Sequence, residues 1–256
     1  VEREDKAGKG YVDFIFYPCL SYNFDENISD NHYNCPVVAY YPQVIEANVQ
    51  KINNDNFVFG FYGVHNKKFM KKQLTKDLAK RIGANGRKIG EALDAAYAAQ
   101  QAYYEKQKNF TDQAIQYARI HELPIIVLAG RPYHVDPEIN HGIDRLVQSF
   151  NTVVISEDGL PFIYGDTDTH VLNQWTYHAR LYNAAKTALE NPDMSVVQLV
   201  SFGCGLDAIT ADEMRNILED GGDIYTQIKI DEISNLGTVK IRLRSLFATL
   251  DQRRKQ

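Results

Sequence analysis

The chain has 256 residues and a formal charge of −5, from 28 Lys and Arg residues against 33 Asp and Glu residues. Hydrophobic residues make up 44% and charged residues 24%, a composition typical of globular proteins that argues against disorder. The mildly acidic balance argues against a general nucleic-acid binder. No apolar run approaches the ~20 residues that span a bilayer, and no signal peptide opens the chain, so we expect no membrane partner.

Three cysteines are present, Cys19, Cys35 and Cys204, and an odd number cannot all pair internally. They fit a reducing, cytoplasmic compartment, where thiols serve as ligands, nucleophiles or core residues. The absence of a Cys-x-x-Cys pair argues against a zinc ribbon or a thioredoxin-type site. The first residue is Val1 rather than a methionine, so we expect an excised part of a longer chain.

The N-terminal third predicts a strand followed by a polar loop. Residues 11–16 form the predicted strand, which ends before Pro18 because the residue preceding a proline disfavours helical geometry. Cys19 follows directly, and an Asn- and Asp-rich loop then leads to Cys35 and a second apolar run over residues 37–41. The two early cysteines therefore flank one loop.

The middle of the chain, from Phe69 to His121, predicts helices. Ile89, Leu93 and Tyr97 recur every four residues among many alanines, a pattern typical of helix. Glycines at 83 and 86 are expected to divide this region into two or three helices. We place a domain boundary at its end, which gives domains of residues 1–121 and 122–256.

After Leu123, short apolar strands alternate with helical patterns. The predicted strands are 125–129, 153–156, 196–202 and 224–230. The predicted helices are 138–150, 169–189, 210–218 and 238–250. Asp136-Pro137 supplies an N-cap and a first-turn proline for the first of these helices. This alternation predicts an α/β fold with a parallel sheet and right-handed crossovers.

Polar loops follow each predicted strand, at residues 130–134, 157–161, 203–205 and 231–235. Ligands of open parallel sheets bind beyond the carboxyl ends of the strands, so we expect these loops to converge on one rim. Arg131 and His134 are candidates for substrate anchoring or proton transfer. Asp231 and Glu232 are further candidates, although carboxylates at a strand end also cap the next helix.

Cys204 lies between Gly203 and Gly205, after a predicted strand and before a helix. The glycines permit a tight turn, and the amides and dipole of a helix N-terminus favour the thiolate, which binds metals or attacks electrophiles. Three interpretations stay open at this point. Cys204 is a structural cysteine packed in a turn, a nucleophile with His134 or His141 as base, or a ligand of an iron–sulfur cluster.

The same turn satisfies a relaxed dinucleotide fingerprint, Gly203-x-Gly205-x-x-Ala208. That fingerprint normally opens its domain, whereas here it follows a late strand and carries a cysteine where the pyrophosphate would lie. Dinucleotide binding is therefore a lesser alternative. His170 and His178 are eight residues apart on one predicted helix, too far to chelate one ion, and we expect them to be exposed or satisfied in the core.

Five motifs give the sequence a resemblance to the 2-hydroxyacyl-CoA dehydratase superfamily. It looks closest to long bacterial proteins in which ATP-dependent activase domains precede a dehydratase-like region. The motifs are Phe16-Tyr17-Pro18-Cys19, Asn34-Cys35-Pro36-Val37-Val38, the segment 128–134, the segment 201–208, and the segment 228–232 with Asn235-Leu236-Gly237.

The resemblance implies two Rossmann-like α/β subdomains with parallel sheets flanked by helices, joined by a helical segment. It also implies a [4Fe-4S] cluster held by Cys19, Cys35 and Cys204 beside Gly203 and Gly205. A double cubane would need further thiolates from another segment or subunit. The implied partners are an activase domain of the same full-length chain, an acyl-CoA or another small substrate, and a second copy of the chain. A docking module that has lost its cluster is the alternative.

Overall fold

The computed structural model of the chain describes residues 12–50, 52, 56–163, 169–201, 203–230 and 236–253. The fold is α/β, with parallel sheets flanked by helices, as predicted. The chain divides into two compact units, one of residues 1–25 and 31–100 and the other of residues 26–30 and 101–256. The predicted domain boundary after residue 121 stays a prediction.

The first unit contains two short parallel strands, β1 (Ile15–Phe16) and β2 (Phe57–Val58). Its helices are α1 (Pro36–Asn48), α2 (Lys67–Asp77) and the first part of α3 (Gly86–Ile120). The strand predicted over residues 11–16 is therefore two residues long in the described chain, and an isolated parallel bridge between Cys19 and Phe61 follows it. Tyr11 lies outside the described residues.

The apolar run that follows Cys35 is helical. Cys35 is the N-cap of α1, and Pro36 occupies the first helical position, where its missing N–H costs no hydrogen bond. The helical middle of the chain is confirmed as α2 and α3, separated by a turn in which Gly83 adopts a left-handed φ of 64°. Ala79, in the turn after α2, forms a small buried cluster with Ile89 and Leu93 of α3, and Met70 and Leu74 of α2 pack against it.

The second unit is a three-layer α/β/α arrangement. The strands of its parallel sheet are β3 (Ile125–Ala129), β4 (Val153–Ser156), β5 (Met194–Val200) and β6 (Thr226–Lys229). The helices are the end of α3, α4 (Ile143–Gln148), α5 (Thr176–Glu190), α6 (Gly205–Asp220) and α7 (Gly237–Arg253). Side chains alternate along β3, so that one face packs against α3, α5 and α6 and the other against α4 and α7.

Two of the predicted helices begin later than expected. The helix predicted from Glu138 begins at Ile143, because His141 and Gly142 adopt left-handed φ values of 54° and 80°. Asp136 caps a local turn instead, accepting a hydrogen bond from the amide of Glu138 at 2.9 Å. The helix predicted from Thr169 begins at Thr176, so His170 is not on it.

The order of the strands places a crevice at a defined position. The sheet runs β4-β3-β5-β6, so the connections from β3 proceed first to one side and then to the other. Such a reversal of strand order opens a crevice at the carboxyl ends of the two central strands. In this chain those strands are β3 and β5, and Arg131 and Cys204 follow them. No helix of the described residues is long and apolar enough to cross a membrane.

Candidate functional site

Arg131 connects the loops after β3 and β5. Its Nη2 donates to Oδ2 of Asp207 at 2.6 Å and to Oγ of Ser201 at 3.4 Å. Its Nη1 lies 4.0 Å from Sγ of Cys204, and its guanidinium stacks over the ring of Tyr133 at 5.0 Å. The side chains of Arg131 and Asp207 are both buried, so the guanidinium has a fixed position beyond the carboxyl ends of β3 and β5.

Ser201 is the centre of a hydrogen-bonded group directly after β5. Its Oγ lies 2.8 Å from Oη of Tyr133 and 3.0 Å from Nε2 of His134. The amide of Arg131 donates to Nδ1 of His134 at 3.0 Å, so a neutral His134 carries its proton on Nε2 and donates to Ser201. In this tautomer His134 cannot remove a proton from Ser201. The geometry therefore favours a role for His134 in holding the loop.

Cys204 lies where the sequence predicted, between a strand and a helix. It is the N-cap of α6, half-buried, and not part of a disulfide. The amide groups of the first turn of α6 and the guanidinium of Arg131 both provide positive charge beside the sulfur. This environment suits a thiol that binds a metal or an electrophile.

The two glycines beside Cys204 have open space above them. Neither Gly203 nor Gly205 has a positive φ, so the turn itself does not require glycine. A Cβ built at either position would meet no atom of the described residues within 4 Å, so packing against that part of the chain does not require glycine there either.

His178 is a buried member of the site that the sequence did not indicate. It lies in the first turn of α5 with 3% of its surface exposed, and neither ring nitrogen has a hydrogen-bond partner. Its Nε2 is 3.9 Å from Oδ1 of Asp207. Burial, together with the charge of Arg131, lowers the pKa of His178 to about 4. The expectation that His178 is exposed or satisfied is therefore wrong, whereas His170 is exposed beside Glu213.

The loop after β4 meets the same rim. The amide of Gly130 donates to Oε2 of Glu157 at 3.4 Å, which joins the loops after β3 and β4. Burial, with the neighbouring charge of Asp158, raises the pKa of Glu157 to about 8. Three of the four predicted loops therefore converge, as expected. The fourth, with Asp231 and Glu232, lies outside the described residues.

The other two cysteines belong to the first unit. Cys19 is fully buried beside β2, and burial raises the pKa of its thiol. Cys35 is half-buried at the N-terminus of α1. Across the described ranges, no three His, Cys, Asp or Glu side chains lie close enough together to hold one metal ion. The ligand set of Cys19, Cys35 and Cys204 stays a prediction.

Sequence reasoning missed Ser201, Tyr133 and Asp207 as parts of the site, although all three lie within a few residues of Arg131 or Cys204. Ser201 and Tyr133 lie in the loops after β5 and β3, and Asp207 lies in the first turn of α6, and these positions are a signal that could have identified them. His178 offers no such signal, because its relationship to Asp207 depends on how α5 packs against α6.

The family of the chain is shown by a family model that matches residues 7–160, more than half of its length. The match includes Cys19, Cys35, Arg131 and His134, and it ends before Cys204. No significant similarity to a curated protein or to a solved structure was found. The chain belongs to the family described as the CoA enzyme activase uncharacterised domain (DUF2229).

Proposed function

We propose that this chain is the electron-accepting, iron–sulfur component of an activase-linked enzyme of the 2-hydroxyacyl-CoA dehydratase type. An ATP-hydrolysing activase domain is the electron donor in this proposal, and an acyl-CoA or another small molecule is the acceptor. Cys19, Cys35 and Cys204 would hold the cluster, which when bound supplies one-electron chemistry at low potential.

The observation that carries the proposal is the placement of Cys204. Its thiol follows a central strand of the parallel sheet, at the position where ligands of such sheets bind. The Arg131 guanidinium lies 4.0 Å from the sulfur, and the flanking glycines leave space above it. A cysteine that served only as a core residue would need neither a guanidinium beside its sulfur nor open space at the residues that flank it.

The donor chemistry of the chain also fits a cluster. All three cysteines are free of disulfides, and thiolates are the usual ligands of iron–sulfur clusters. Cys35 and Cys204 are both half-buried N-caps, each directly before the first turn of a helix. The family match supports the partnership with an activase, which is the coarser part of the proposal.

The chain's own residues have separate tasks in this scheme. Arg131 holds its position through Asp207 and Ser201 and supplies positive charge beside the sulfur of Cys204. His134 fixes the loop that carries Arg131. Cys204 is half-buried between two exposed glycines, so part of its surface is accessible in the described chain.

Anaerobic reconstitution with iron and sulfide, followed by iron analysis and EPR spectroscopy, tests the proposal. We expect about four irons per chain in the wild type. The Cys204→Ala variant should lose this iron, whereas Asn66→Ala should retain it. Asn66 is a matched control because it is the N-cap of α2 and its side chain accepts a hydrogen bond from the amide of Phe69.

Equal iron content in the wild type and in Cys204→Ala would refute the ligand assignment. A chain that binds no iron but binds the activase domain, with or without its cysteines, would be a docking module instead. Saturable binding of NAD(H) or NADP(H), lost on substitution of Gly203, would favour the dinucleotide alternative.

A further inference from the structure

His32 and His65 form a close pair in the first unit. The centroids of their imidazole rings are 5.4 Å apart, in an edge-to-face arrangement. The ring of Tyr22 contacts both, with its centroid 5.3 Å from that of His32 and 5.1 Å from that of His65. Two histidines that lie 33 positions apart in the sequence therefore meet at one place, and the proposed function uses neither of them.

The first histidine of the pair is placed by a hairpin. The amide of Asn23 donates to the carbonyl of His32 at 2.9 Å, and Tyr22 and Tyr33 form an antiparallel bridge beside it. The phenol of Tyr22 also donates to that of Tyr33 at 3.0 Å. Backbone and side-chain hydrogen bonds therefore both fix the position from which His32 extends.

The second histidine lies in the turn between β2 and α2. The amide of Asn66 donates to the carbonyl of Gly63 at 3.0 Å, and the hydroxyl of Tyr97 in α3 donates to the carbonyl of Val64. The imidazole of His65 folds back over Gly63, where an added Cβ would lie 2.8 Å from Cε1 of the ring. The absence of a side chain at Gly63 therefore provides the space that this ring position needs.

One ring nitrogen of His32 is buried without a partner. No atom of the described residues forms a hydrogen bond with its Nε2. A buried polar atom in this state is costly, and a bound ion or water is a usual explanation for it. His65 is exposed, so an ion can reach the pair from solvent.

The separation of the two rings fits imidazoles that share one metal ion. A Zn–N bond is about 2.0–2.1 Å long and the ring centre lies about 1.2 Å beyond the nitrogen, so two imidazoles at a tetrahedral angle have centroids about 5.3 Å apart. The observed separation of 5.4 Å agrees with this value. Imidazole is a ligand that suits Zn²⁺ and its neighbours Cu²⁺ and Ni²⁺.

The protonation state of His65 also suits metal binding, which requires a neutral imidazole. Partial burial, together with the neighbouring His32, lowers the pKa of His65 below its ordinary value of 6.5. His65 is therefore neutral at pH 7, and one of its ring nitrogens offers a lone pair.

We propose that His32 and His65 together bind one divalent transition-metal ion of the zinc type through their imidazole nitrogens. Among the described residues, no third His, Cys, Asp or Glu side chain joins them, so the other positions of the ion are open to water or to a donor atom of a bound molecule. The inference goes beyond the proposed iron–sulfur function and does not depend on it, because neither histidine is a cluster ligand there.

Zinc titration of the iron-free 256-residue chain at pH 7, with its histidines labelled with nitrogen-15, tests the pair. NMR spectra follow the ring nitrogens, which separates the histidines from the cysteines that also bind zinc. We expect two of the seven histidines, His32 and His65, to shift together at the same zinc concentration.

Each of the variants His32→Gln and His65→Gln should lose one of the two shifting signals. The zinc affinity reported by the other signal should fall at least about tenfold, because even the outer hydrogen-bond partners of metal ligands contribute about 10–100-fold to affinity. His121→Gln is the matched control. The ring of His121 also contacts a tyrosine, Tyr117 at 4.3 Å, but no other histidine ring of the described chain, so this variant should keep both shifts.

Three results would overturn the inference: no zinc-dependent shift of either ring, a shift of one ring alone, or an unchanged response of His32 in His65→Gln. His65→Gln changes an exposed position and identifies the pair even if His32→Gln fails to fold. Because the histidine rings are observed in the iron-free chain, the outcome is independent of the cluster experiment.

Discussion

Arg180 binds Glu26 across 154 positions of the sequence. Its Nε donates to Oε2 of Glu26 at 2.9 Å, and its Nη1 donates to Oδ1 of Asp158 at 2.7 Å. Residues 26–30 thereby pack in the second unit, although in sequence they lie between Cys19 and Cys35, which belong to the first. Residues 26–30 of the sequence between the two early cysteines thus belong to the same compact unit as Cys204.

Removal of Arg180 should be strongly destabilising. The Arg180→Met variant leaves the carboxylates of Glu26 and Asp158 buried without their cation, and breaking a buried ion pair in this way typically costs about 3–5 kcal/mol. Urea denaturation followed by circular dichroism measures the loss. Arg119→Met is the control, because the Arg119 side chain is 50% exposed in its pair with Asp193 and should lose only about 0–1 kcal/mol. Equal losses in the two variants would contradict the role given to the buried cluster.

Glu157 should make the protein less stable as the pH rises. Burial and Asp158 raise its pKa from the ordinary value of 4.5 to about 8, so the folded state holds a proton that the unfolded state releases. The free energy of unfolding therefore falls between pH 4.5 and 8, by at most about 1.4 kcal/mol per pH unit from this group. Glu157→Gln should remove that part of the slope.

Measuring stability between pH 7 and 8 separates the effect of Glu157 on the free energy of unfolding from that of His178. The folded pKa of His178 is lowered to about 4, so its own effect on stability is confined to lower pH, between that value and the ordinary 6.5. Between pH 7 and 8, the urea midpoint should fall more steeply with rising pH in the wild type than in Glu157→Gln. Parallel slopes would mean that Glu157 is ionised in the folded state.

Gly159 and Gly203 should respond differently to an added methyl group. A Cβ at Gly159 would lie 1.8 Å from Oγ1 and 2.7 Å from Cβ of Thr111, so Gly159→Ala should destabilise the fold by about 1–3 kcal/mol through overpacking. Gly203→Ala meets no atom within 4 Å and should leave the free energy of unfolding within about 0.5 kcal/mol of the wild type. Thermal unfolding of both variants checks this, and a large loss in Gly203→Ala would mean that its surroundings are more closely packed.

The strands of the second unit were largely predictable from the sequence. β3 and β4 have the predicted limits, Ile125–Ala129 and Val153–Ser156. β3 is fully buried, and a strand buried on both faces leaves a continuous apolar run between polar turns. Helix starts were less predictable. Asp136-Pro137 is a typical helix start, but Asp136 caps a local turn here. His141 and Gly142 adopt left-handed φ values, and α4 begins only at Ile143.

The site was predictable where it depends on the order of strands. Arg131, His134 and Cys204 follow β3 and β5, and parallel strands bring their carboxyl ends to one edge. The direction of each side chain was not predictable from the sequence. The contact of Arg131 with Asp207, for example, depends on packing between elements that are distant in sequence. His178 illustrates the limit, because only the packing of α5 on α6 places it beside Asp207.

Loss of the Ser201 hydroxyl should destabilise the protein. Ser201→Ala removes the shared partner of Tyr133 and His134, and it leaves the buried Nε2 proton of His134 without that acceptor. The loss of a buried hydrogen bond costs about 0.5–1.5 kcal/mol, which urea denaturation would detect.

Ser245→Ala is the matched control for that substitution. The exposed hydroxyl of Ser245 bonds the carbonyl of Ile241 in its own helix, at 3.2 Å, so its loss should change the free energy of unfolding by less than about 0.5 kcal/mol. The His134 ring should also change its position in Ser201→Ala. NMR spectra would show this as a shift of the His134 ring resonances. Unchanged stability together with unchanged His134 resonances would show that Ser201 does not hold the loop.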